Sequence, residues 1–282
     1  MTNLLDPKWG QPDPTHSPLT LSNFLPRESD ILITTGAKAG TTWMQQILHQ
    51  LRSGGDDQFL AIDDVAPWLE LPRPELTQGE IQSRYEAMKN PRIFKTHCTY
   101  EQTPGIDTVH IILTFRDPRD CCISFFHHLN DMTDEARETH NIPKPENLDN
   151  YVEKWLEIGS WYRNVASWWP HREKSNILLL RYEDLVNDLP SGMDTILRFL
   201  NWELSVEQKE KAIEYSSFPW MKENADRFIM QRDGKPLFKP GGFIRRGKTG
   251  DGKLRLSPEH NKAIVEKAHE ILEEVCLEFI KI

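Results

Sequence analysis

DILITTGAKAGTTWMQQILHQL, from Asp30 to Leu51, is the stretch that decides the fold. Its first part, ILITT, is a short apolar run that predicts a buried strand. Its last part carries Met44, Ile47, Leu48 and Leu51 at the i, i+3, i+4, i+7 spacing of a helix with one apolar face. A strand that passes through a glycine-containing loop directly into a helix is typical of α/β proteins that bind an anion.

The loop between this strand and helix, GAKAGTT, has the small residues, the lysine and the hydroxyls that a phosphate-binding loop needs. Its backbone N–H groups are expected to converge on an anion, and Thr41, at the expected N-cap, and Thr42 add hydroxyl donors. The usual nucleotide loop, G-x-x-x-x-G-K-[ST], has its lysine after the second glycine, whereas Lys38 precedes Gly40 here. Taken alone, the loop fits either a phosphate site with a displaced lysine or a turn with an incidental lysine.

Further strands and helices alternate along the chain. RIFKTH (Arg92–His97), TVHIILTF (Thr108–Phe115) and NILLLRYEDL (Asn176–Leu185) each contain a strand candidate, and the second is nearly continuous in apolar residues, as in a strand buried on both faces. A helix is predicted after Pro118, and a tryptophan-rich helical stretch runs from Tyr151 to Trp169. The alternation predicts an α/β fold with a central parallel sheet flanked by helices.

Cations follow three of the predicted strands at the point where each strand ends. Lys38 lies in the first loop, Lys95 lies near the end of the second strand candidate, and Arg116 and Arg119 follow the third. Because ligands of open parallel sheets bind beyond the carboxyl ends of the strands, these side chains are expected to surround a ligand with more than one phosphate-like group. His97 is a candidate general base beside Lys95, although in a chain with 10 histidines a structural role is the common alternative.

Two segments are predicted to lie outside the alternating core. Residues 1–28, rich in proline and polar residues, are expected to lie on the domain as an N-terminal arm. Residues 221–256 are polar and rich in glycine and basic residues, which is typical of a functional lid. Arg245 and Arg246 in this segment could clamp a phosphate, with a solvated charged loop as the alternative. A last helix is predicted from Pro258 to Ile280.

Length and charge limit the classes of function. The 282 residues suit one large α/β domain, which we expect to span residues 1–282. A net charge of −9 disfavours nucleic acid or an anionic membrane surface as the partner. The 4 cysteines match no metal or redox spacing, and no apolar run approaches the ~20 residues of a membrane helix. With no leader sequence visible either, the sequence predicts a cytoplasmic protein with reduced thiols.

A set of motifs resembles one known family. KAGTTW, KTH, RDPRDCCISFFH, YEDL, SSFPWMK and FIRRGKTGDGK are similar in order and spacing to motifs of the cytosolic-type sulfotransferases, which transfer sulfuryl groups from 3′-phosphoadenosine 5′-phosphosulfate (PAPS). The resemblance runs from about Ile31 to about Ser257. It implies a P-loop-kinase-like fold with a phosphosulfate-binding loop, PAPS as the donor and 3′-phosphoadenosine 5′-phosphate (PAP) as the product. It also implies a small-molecule acceptor and no metal.

The resemblance implies a catalytic role for three side chains. His97 would take the proton of the acceptor as the acceptor oxygen attacks sulfur. Lys38 would lie near the bridging oxygen and Lys95 near the transferring group, where both neutralise the negative charge that builds on the leaving phosphate. Thr41 and Thr42 would hold the 5′-phosphate from the helix side.

Other residues match positions that hold the nucleotide or the acceptor in the family. Trp43 would stack on adenine, and Arg116 would bind the 3′-phosphate together with Ser124 and the lid. The nucleotide-binding set implied beside Lys38 is Ala39, Gly40, Thr41, Thr42, Trp43, Arg116, Ser124, Tyr182, Ser216, Phe218, Phe243, Ile244, Arg245, Arg246 and Gly247. Aromatic residues that resemble acceptor-pocket positions, with core packing as the alternative, are Trp68, Phe125 and Phe126.

The chain also departs from the family pattern. Gly36-Ala37 replaces the usual Tyr-Pro before the loop lysine, and Gly252 replaces the tryptophan of G-D-W-K, which leaves the order of the lid open. The family's dimer motif, K-x-x-x-T-V-x-x-x-E, reads KLRLSPEHNK from Lys253 to Lys262, so dimerisation in that mode is not supported.

Alternative functions remain on the sequence alone. One is a P-loop-type ATP-dependent kinase of a small molecule, against which the displaced lysine and the second basic cluster count. The other is a non-catalytic nucleotide-binding protein on the same fold. The acceptor is open too, among phenols, steroids, lipid or natural-product alcohols, and amines.

Overall fold

The computed structural model describes residues 15–232 and 235–282, in which short strands alternate with helices. The helices of these ranges are α1 (Pro18–Ser22), α2 (Thr41–Ser53), α3 (Ile62–Val65), α4 (Gln78–Ala87), α5 (Pro118–Asp131), α6 (Asp134–His140), α7 (Leu148–Ile158), α8 (Ser160–Trp168), α9 (Tyr182–Asn187), α10 (Leu189–Leu200), α11 (Val206–Tyr215), α12 (Phe218–Glu223), α13 (Asp251–Arg255), α14 (Pro258–Ile271) and α15 (Glu274–Ile280). Single 3-10 turns follow α8 at Trp169–His171 and α12 at Ala225–Phe228.

The main sheet confirms the predicted parallel α/β architecture. Its strands are β1 (Ile31–Ile33), β2 (Ile93–Lys95), β3 (His110–Phe115) and β4 (Ile177–Arg181), in the order β2-β1-β3-β4. Every pairing is parallel, so each connection has to cross over to the other end of the sheet. Helices lie in the connections from β1 to β2 and from β3 to β4, whereas residues 96–109 join β2 to β3 without a helix. The chain leaves β1 toward β2 on one side and leaves β3 toward β4 on the other. The crevice between β1 and β3 is therefore a topological switch point, where ligands of such sheets bind.

The two faces of the sheet are covered by separate apolar clusters. Alternate strand residues point to opposite faces: Leu32 and Ile111 belong to one cluster, whereas Ile31, Ile33 and Ile112 belong to the other. Helices α5, α7, α8, α14 and α15 contribute to the first cluster, and α2 and α10 to the second. Burial on both faces is the physical reason that these strands read as nearly continuous apolar runs.

Two helical stretches expected to be continuous are divided. The helix predicted from Pro258 to Ile280 breaks into α14 and α15, because Leu272 takes an extended backbone (φ −104°, ψ 148°) and buries its side chain in the core. The tryptophan-rich stretch breaks at Gly159, whose φ of 63° ends α7 and starts α8. Both halves of each stretch can then pack against the same apolar cluster.

The described part of the N-terminal arm packs against the domain. Leu21 and Phe24 are buried in the core, and the Ser17 N–H donates to the Glu70 carbonyl at 2.8 Å. Residues 1–14 of the predicted arm lie outside the described residues.

The basic segment at residues 221–256 contains regular structure instead of one continuous loop. It begins within α12, continues through an antiparallel ribbon of β5 (Gln231–Arg232) and β6 (Lys235–Pro236), and ends with α13. We use the word lid for residues 238–255 of this segment. The lid follows the ribbon and returns to α5, which places it beside the switch-point crevice.

All 4 cysteines are buried free thiols, as predicted. Cys121 and Cys122 lie in the first half of α5 and pack in the core. Across the ranges 15–232 and 235–282, no helix combines the length and the apolar character needed to cross a membrane.

Candidate active site

The loop between β1 and α2 turns sharply and places its polar groups at the edge of the sheet. Lys38 (φ 67°) and Gly40 (φ 108°) both have left-handed backbone conformations. Gly40 is the N-cap, so Thr41 is the first helical residue and not the N-cap that its type predicts. A Cβ on Gly40 would lie 2.8 Å from the Tyr182 ring, so a side chain there has no room. Thr41 and Thr42, at the start of α2, line a cavity that opens beside this edge of the sheet. Backbone N–H groups at a helix start favour anions.

The Lys38 ammonium lies beside a residue that the sequence did not single out. Its Nζ is 3.1 Å from His128 Nδ1 and 5.4 Å from the centroid of the Phe243 ring. Burial lowers the pKa of Lys38 to about 7, and the charges of Lys95 and Arg116 act in the same direction. Lys38 can therefore change protonation near neutral pH, and an anion bound beside it would favour the charged form.

His97 is oriented as a proton acceptor. Its Nδ1 lies 2.8 Å from the Thr35 carbonyl oxygen, and because a carbonyl only accepts, Nδ1 carries the proton and Nε2 keeps its lone pair. Burial lowers the pKa of His97 to about 4, and the charge of Lys95 adds to this effect. The imidazole that lines the cavity is therefore neutral at pH 7, with Nε2 free to take a proton.

Trp68 and Glu70 form the wall beside Lys95 and His97. A parallel bridge pairs Trp68 with Lys95, and the Lys95 Nζ lies 4.3 Å from the centroid of a Trp68 ring. Glu70 is buried and accepts the His97 N–H at 2.9 Å, and burial raises the pKa of Glu70. Burial also lowers the pKa of Lys95 to about 8. No local sequence pattern predicts a role for Glu70, because its contact with His97 depends on this pairing of distant segments.

Arg116 connects the Lys38 loop to the lid. Its guanidinium donates to the Lys38 carbonyl at 3.1 Å and to the Lys248 carbonyl at 3.3 Å. The same group lies 4.3 Å from the centroid of the Tyr182 ring. A planar cation held in this way has a fixed direction, which suits recognition of a phosphate.

Arg119 does not join the cation cluster that the strand ends predict. Its guanidinium pairs with both carboxylate oxygens of Asp117, at 2.8 and 2.6 Å, and it does not line the cavity. Asp117 is the N-cap of α5 and Arg119 lies in its first turn, so the local helix geometry directs this pairing. The cluster at the sheet edge therefore consists of Lys38, Lys95 and Arg116.

The lid arginines converge on one carboxylate. Asp251 accepts hydrogen bonds from Arg245 at 2.7 Å, from Arg246 at 3.0 Å and from Arg255 at 3.0 Å. Arg245 and Arg246 also line the cavity. Because a phosphate offers these guanidinium groups the same kind of oxygen acceptors as a carboxylate, the lid adds a further set of side chains that could bind an anion in the cavity.

Asp120 anchors the lid to α5 and explains one departure from the family pattern. Its carboxylate accepts the N–H of Gly250 at 2.8 Å and of Gly252 at 2.7 Å, and lies 3.5 Å from Arg116. A Cβ on Gly252 would lie 2.3 Å from the carbonyl carbon of Arg119. Glycine is therefore required here by close backbone approach, and the tryptophan typical of the family would not fit this lid position.

Asn164 lies beside the other departure, Gly36. A Cβ on Gly36 would lie 3.1 Å from Asn164 Oδ1, while Asn164 Nδ2 donates to the carbonyls of Thr34 at 3.2 Å and Cys98 at 3.4 Å. A larger residue at position 36 would have to displace this amide. Glycine at position 36, where the family usually has tyrosine, therefore leaves room for a buried asparagine whose hydrogen bonds connect α8 to the end of β1.

The Lys38 loop, the ends of β2 and β3, and the lid contribute side chains to one cavity of about 790 Å³. The predicted site residues that it brings together are Lys38, Gly40, Thr41, Thr42, Trp43, Trp68, Lys95, His97, Arg116, Ser124, Phe125, Tyr182, Phe218, Phe243, Ile244, Arg245, Arg246 and Gly247. Ala39, Ser216 and Phe126 do not line it. Ala39 and Ser216 are buried, and the Ser216 carbonyl accepts from Trp43 Nε1 at 2.8 Å; Phe126 packs against Tyr151 instead, with ring centroids 5.4 Å apart.

Part of the cavity lining is apolar and was not predicted. Its additional members are Leu129, Met132, Ile142, Leu237 and Phe238, together with His128. Ser124 and His128 both line the cavity from α5, and their i, i+4 spacing places them on one face of the helix. That spacing is the sequence signal that points to His128.

Comparisons with known proteins agree with the resemblance of the motifs. Residues 28–275 match the family model described as the sulfotransferase domain. The chain is 31% identical to the 3-alpha-hydroxysteroid sulfotransferase of Cavia porcellus, over 82% of this chain and 79% of that protein. It is 30% identical to the amine sulfotransferase of Oryctolagus cuniculus, over 92% of this chain and 86% of that protein.

Solved structures share the fold. A mouse sulfotransferase complexed with PAP superimposes with a TM-score of 0.69 at 23% identity, covering 93% of this chain and 92% of that chain. A retinol dehydratase in complex with androsterone and the inactive cofactor PAP gives a TM-score of 0.71 at 23% identity, covering 90% of this chain and 84% of that chain.

Proposed function

Because this chain belongs to the sulfotransferase family, we propose that its cavity moves a sulfuryl group from PAPS to a hydroxyl of a small, partly apolar acceptor. The observation that carries the proposal is that cations from the sheet edge and from the lid line one cavity together with a neutral histidine. Lys38 and Lys95 form one group beside His97. Arg116 belongs to the sheet edge too, but its guanidinium also contacts the lid, so it can join Arg245 and Arg246 in a second group. PAPS carries two separate anionic groups, a 5′-phosphosulfate and a 3′-phosphate, and each group of cations suits one of them.

The positions and protonation states of the residues support one role for each in this reaction. The acceptor O–H gives its proton to His97 Nε2 as the acceptor oxygen bonds to sulfur. The bond between sulfur and the bridging oxygen breaks in the same displacement, and its electron pair remains on the leaving 5′-phosphate of PAP. Lys38 and Lys95 neutralise the charge that develops there, in a site whose burial strengthens the interaction.

The nucleotide would be held by the remaining lining residues. Thr41 and Thr42, with the N–H groups at the start of α2, suit the 5′-phosphate. Trp43 offers an aromatic surface for adenine, and its indole N–H is already fixed on the Ser216 carbonyl. Ser216 would therefore act through Trp43 and not through direct contact.

The apolar part of the cavity suits an apolar acceptor. Phe125, Met132 and Phe238 line it, with Trp68 near His97. The relatives named above include a hydroxysteroid enzyme and an amine enzyme, so a phenol, a steroid-like alcohol or an amine are the classes to test. We favour an alcohol or phenol, because neutral His97 Nε2 can accept the proton of a hydroxyl directly.

We also propose that residues 1–282 act as one domain in the cytoplasm. The arm and the lid pack against the same body as the sheet, through Leu21, Phe24 and Asp120. Free cysteines buried in the core suit a reducing compartment.

Transfer of labelled sulfate is the direct test of the proposed activity. The purified chain is incubated with PAPS labelled in the sulfuryl group and a panel of phenols, hydroxysteroids, aliphatic alcohols and amines. Labelled product together with PAP is expected for at least one apolar hydroxyl compound. PAP binding without transfer to any member of the panel would favour a non-catalytic protein, and phosphate transfer from ATP to the same panel would favour a kinase.

A further inference from the structure

His128 is a second histidine in the cavity, and the transfer scheme above gives it no part. Its Nδ1 lies 3.1 Å from the Lys38 Nζ. Its ring is stacked on Phe125, with centroids 5.7 Å apart and an interplanar angle of 12°, and lies 4.4 Å from the Phe238 ring. These aromatic contacts hold the imidazole in one orientation, with Nδ1 toward the lysine.

The direction of this hydrogen bond follows from the chemistry of its partners. An ammonium group only donates, so with Lys38 charged, His128 Nδ1 must present its lone pair and the ring proton must sit on Nε2. Burial, followed by the charges of Lys38 and Lys95, holds the pKa of His128 well below its usual value, so the ring is neutral. His97 has the opposite tautomer, because its Nδ1 donates to the Thr35 carbonyl.

We propose that His128 is a positioning residue for Lys38 in the transfer reaction. It accepts one of the three N–H groups of the ammonium and would leave the other two for oxygen atoms of the bound donor. A lysine has a flexible four-carbon stem, and holding its end in place removes motion that would otherwise have to be lost during the reaction. This inference rests on the proposed function.

The lid takes part in the same arrangement. Phe243, from the lid, lies 5.4 Å from the Lys38 Nζ and 5.8 Å from the His128 ring, and it packs on Phe238 at 5.1 Å. Lys38 is thus held between a hydrogen-bond acceptor on α5 and an aromatic face on the lid. Only the first of these contacts fixes the direction of the N–H bonds, because a cation–π contact is not directional in this sense.

Two substitutions separate hydrogen bonding from packing. His128→Phe keeps an aromatic ring among Phe125 and Phe238 but removes Nδ1, whereas His128→Asn removes the ring and places Oδ1 close to the position of Nδ1. With PAPS and an acceptor identified in the panel, kcat of His128→Phe should fall about 10–100-fold, while the KM for the acceptor changes less than about threefold. His128→Asn should recover to within about fivefold of wild-type kcat.

His127→Phe is the matched control. His127 is the neighbouring residue on α5, does not line the cavity and lies 3.4 Å from Arg255. Its substitution should leave kcat unchanged. Unchanged kcat in His128→Phe would overturn the positioning role. Equal losses in the Phe and Asn variants would overturn it too, because a hydrogen-bond acceptor at this position would then restore no activity.

Nitrogen chemical shifts of the histidine rings test the contact without any turnover. The full chain, labelled with ¹⁵N-histidine, is measured at pH 6, below the Lys38 pKa of about 7 and above the His97 pKa of about 4. His128 should carry its proton on Nε2 and His97 on Nδ1, and Lys38→Met should change the shifts of His128 while leaving those of His97 in place. A proton on His128 Nδ1 would overturn this inference even in an active sulfotransferase. Failure of the proposed function would instead appear in the labelled-sulfate assay, as no transfer of sulfate to any compound of the panel.

Discussion

The sheet edge and the lid line the same cavity, but different forces build them. At the sheet edge, Lys95 ends β2, Arg116 directly follows β3, and Lys38 lies in the loop after β1, so the parallel ladder itself sets their positions. The lid has little backbone pairing of its own. Side-chain contacts hold it: Asp120 accepts two of its N–H groups, and Asp251 gathers its arginines.

On the proposed function, we expect this difference to divide the roles, with the sheet edge performing the transfer and the lid contributing to nucleotide binding. A frame fixed by buried strands can hold a base and two lysines at the precision that a displacement needs. A segment held by a few ionic contacts can reorganise when a phosphate competes with Asp251 for the arginines. Substitutions at the sheet edge should therefore reduce turnover most, and substitutions under the lid should mainly weaken nucleotide binding.

Removal of the proposed base should have the largest effect. We expect His97→Ala to lower kcat by about 10²–10⁴-fold, because the acceptor proton then has no positioned acceptor, while PAP affinity stays within about threefold. The assay is steady-state turnover with labelled PAPS, accompanied by PAP titration. His110→Ala is the control, since His110 starts β3 and packs against Phe199 away from the cavity. Wild-type turnover in His97→Ala would contradict the proposal that residues at the sheet edge perform the transfer reaction.

Removal of the Asp120 carboxylate, which anchors the lid, should have the next largest effect, and we expect it to weaken nucleotide binding. Asp120→Ala leaves the N–H groups of Gly250 and Gly252 without their acceptor, so we expect PAP affinity to fall about 10–100-fold. Hydrogen exchange of residues 245–256 should become faster in the free protein. Asp120→Asn, which keeps one acceptor oxygen, should lose less affinity. Unchanged exchange in Asp120→Ala would show that other contacts hold the lid.

The close approach of Gly252 to the backbone of α5 should make the stability of the protein sensitive to a side chain at this position. Gly252→Ala places a Cβ against the Arg119 backbone, so the free energy of unfolding in urea should fall by about 1–3 kcal/mol. Gly79→Ala is the matched control, because a Cβ on Gly79 in α4 meets nothing within 4 Å. The control should stay within about 1 kcal/mol of wild type. Equal stability of the two variants would contradict the packing that explains the missing tryptophan.

The smallest expected effect is a dependence of PAP affinity on pH, which would come from the titration of Lys38. In the free protein its pKa is about 7, and bound PAP should raise that pKa, so binding takes up a proton once pH exceeds 7. The charged form that binds PAP is lost as pH rises, and affinity should fall about fivefold from pH 7 to pH 8. Lys38→Arg keeps its charge over this range and should show no such fall. An equal fall in both proteins would assign the titration to another group.

Much of the fold and of the sheet edge could be predicted from sequence, for a physical reason. The apolar runs of the strands and the residues just after them are fixed locally, so Lys38, Lys95, His97 and Arg116 could all be assigned to one edge. The prediction that Arg119 joins them is wrong, because the first turn of α5 directs its guanidinium to Asp117. Glu70 and Asp120 depend on contacts between segments far apart in the chain, which no local pattern reveals.

The breaks in the helices show the same limit. Leu272 reads as one more apolar residue of a helix, and only the core that it fills makes an extended backbone favourable there. Phe126 reads as a pocket residue beside Phe125, yet its place on α5 turns it toward Tyr151. Ser216 matches a position that surrounds the nucleotide in the family, yet here it is buried outside the cavity lining, and its carbonyl accepts from Trp43 Nε1.

Equilibrium binding of PAP against ADP and ATP tests the central claim most directly, namely that the cavity is built for a nucleotide with a 3′-phosphate. Calorimetric titration should give PAP at least about tenfold tighter binding than ADP or ATP, and Arg116→Ala should remove most of that preference while affecting ADP little. Binding of ADP or ATP as tight as that of PAP, or a preference that survives Arg116→Ala unchanged, would contradict the account.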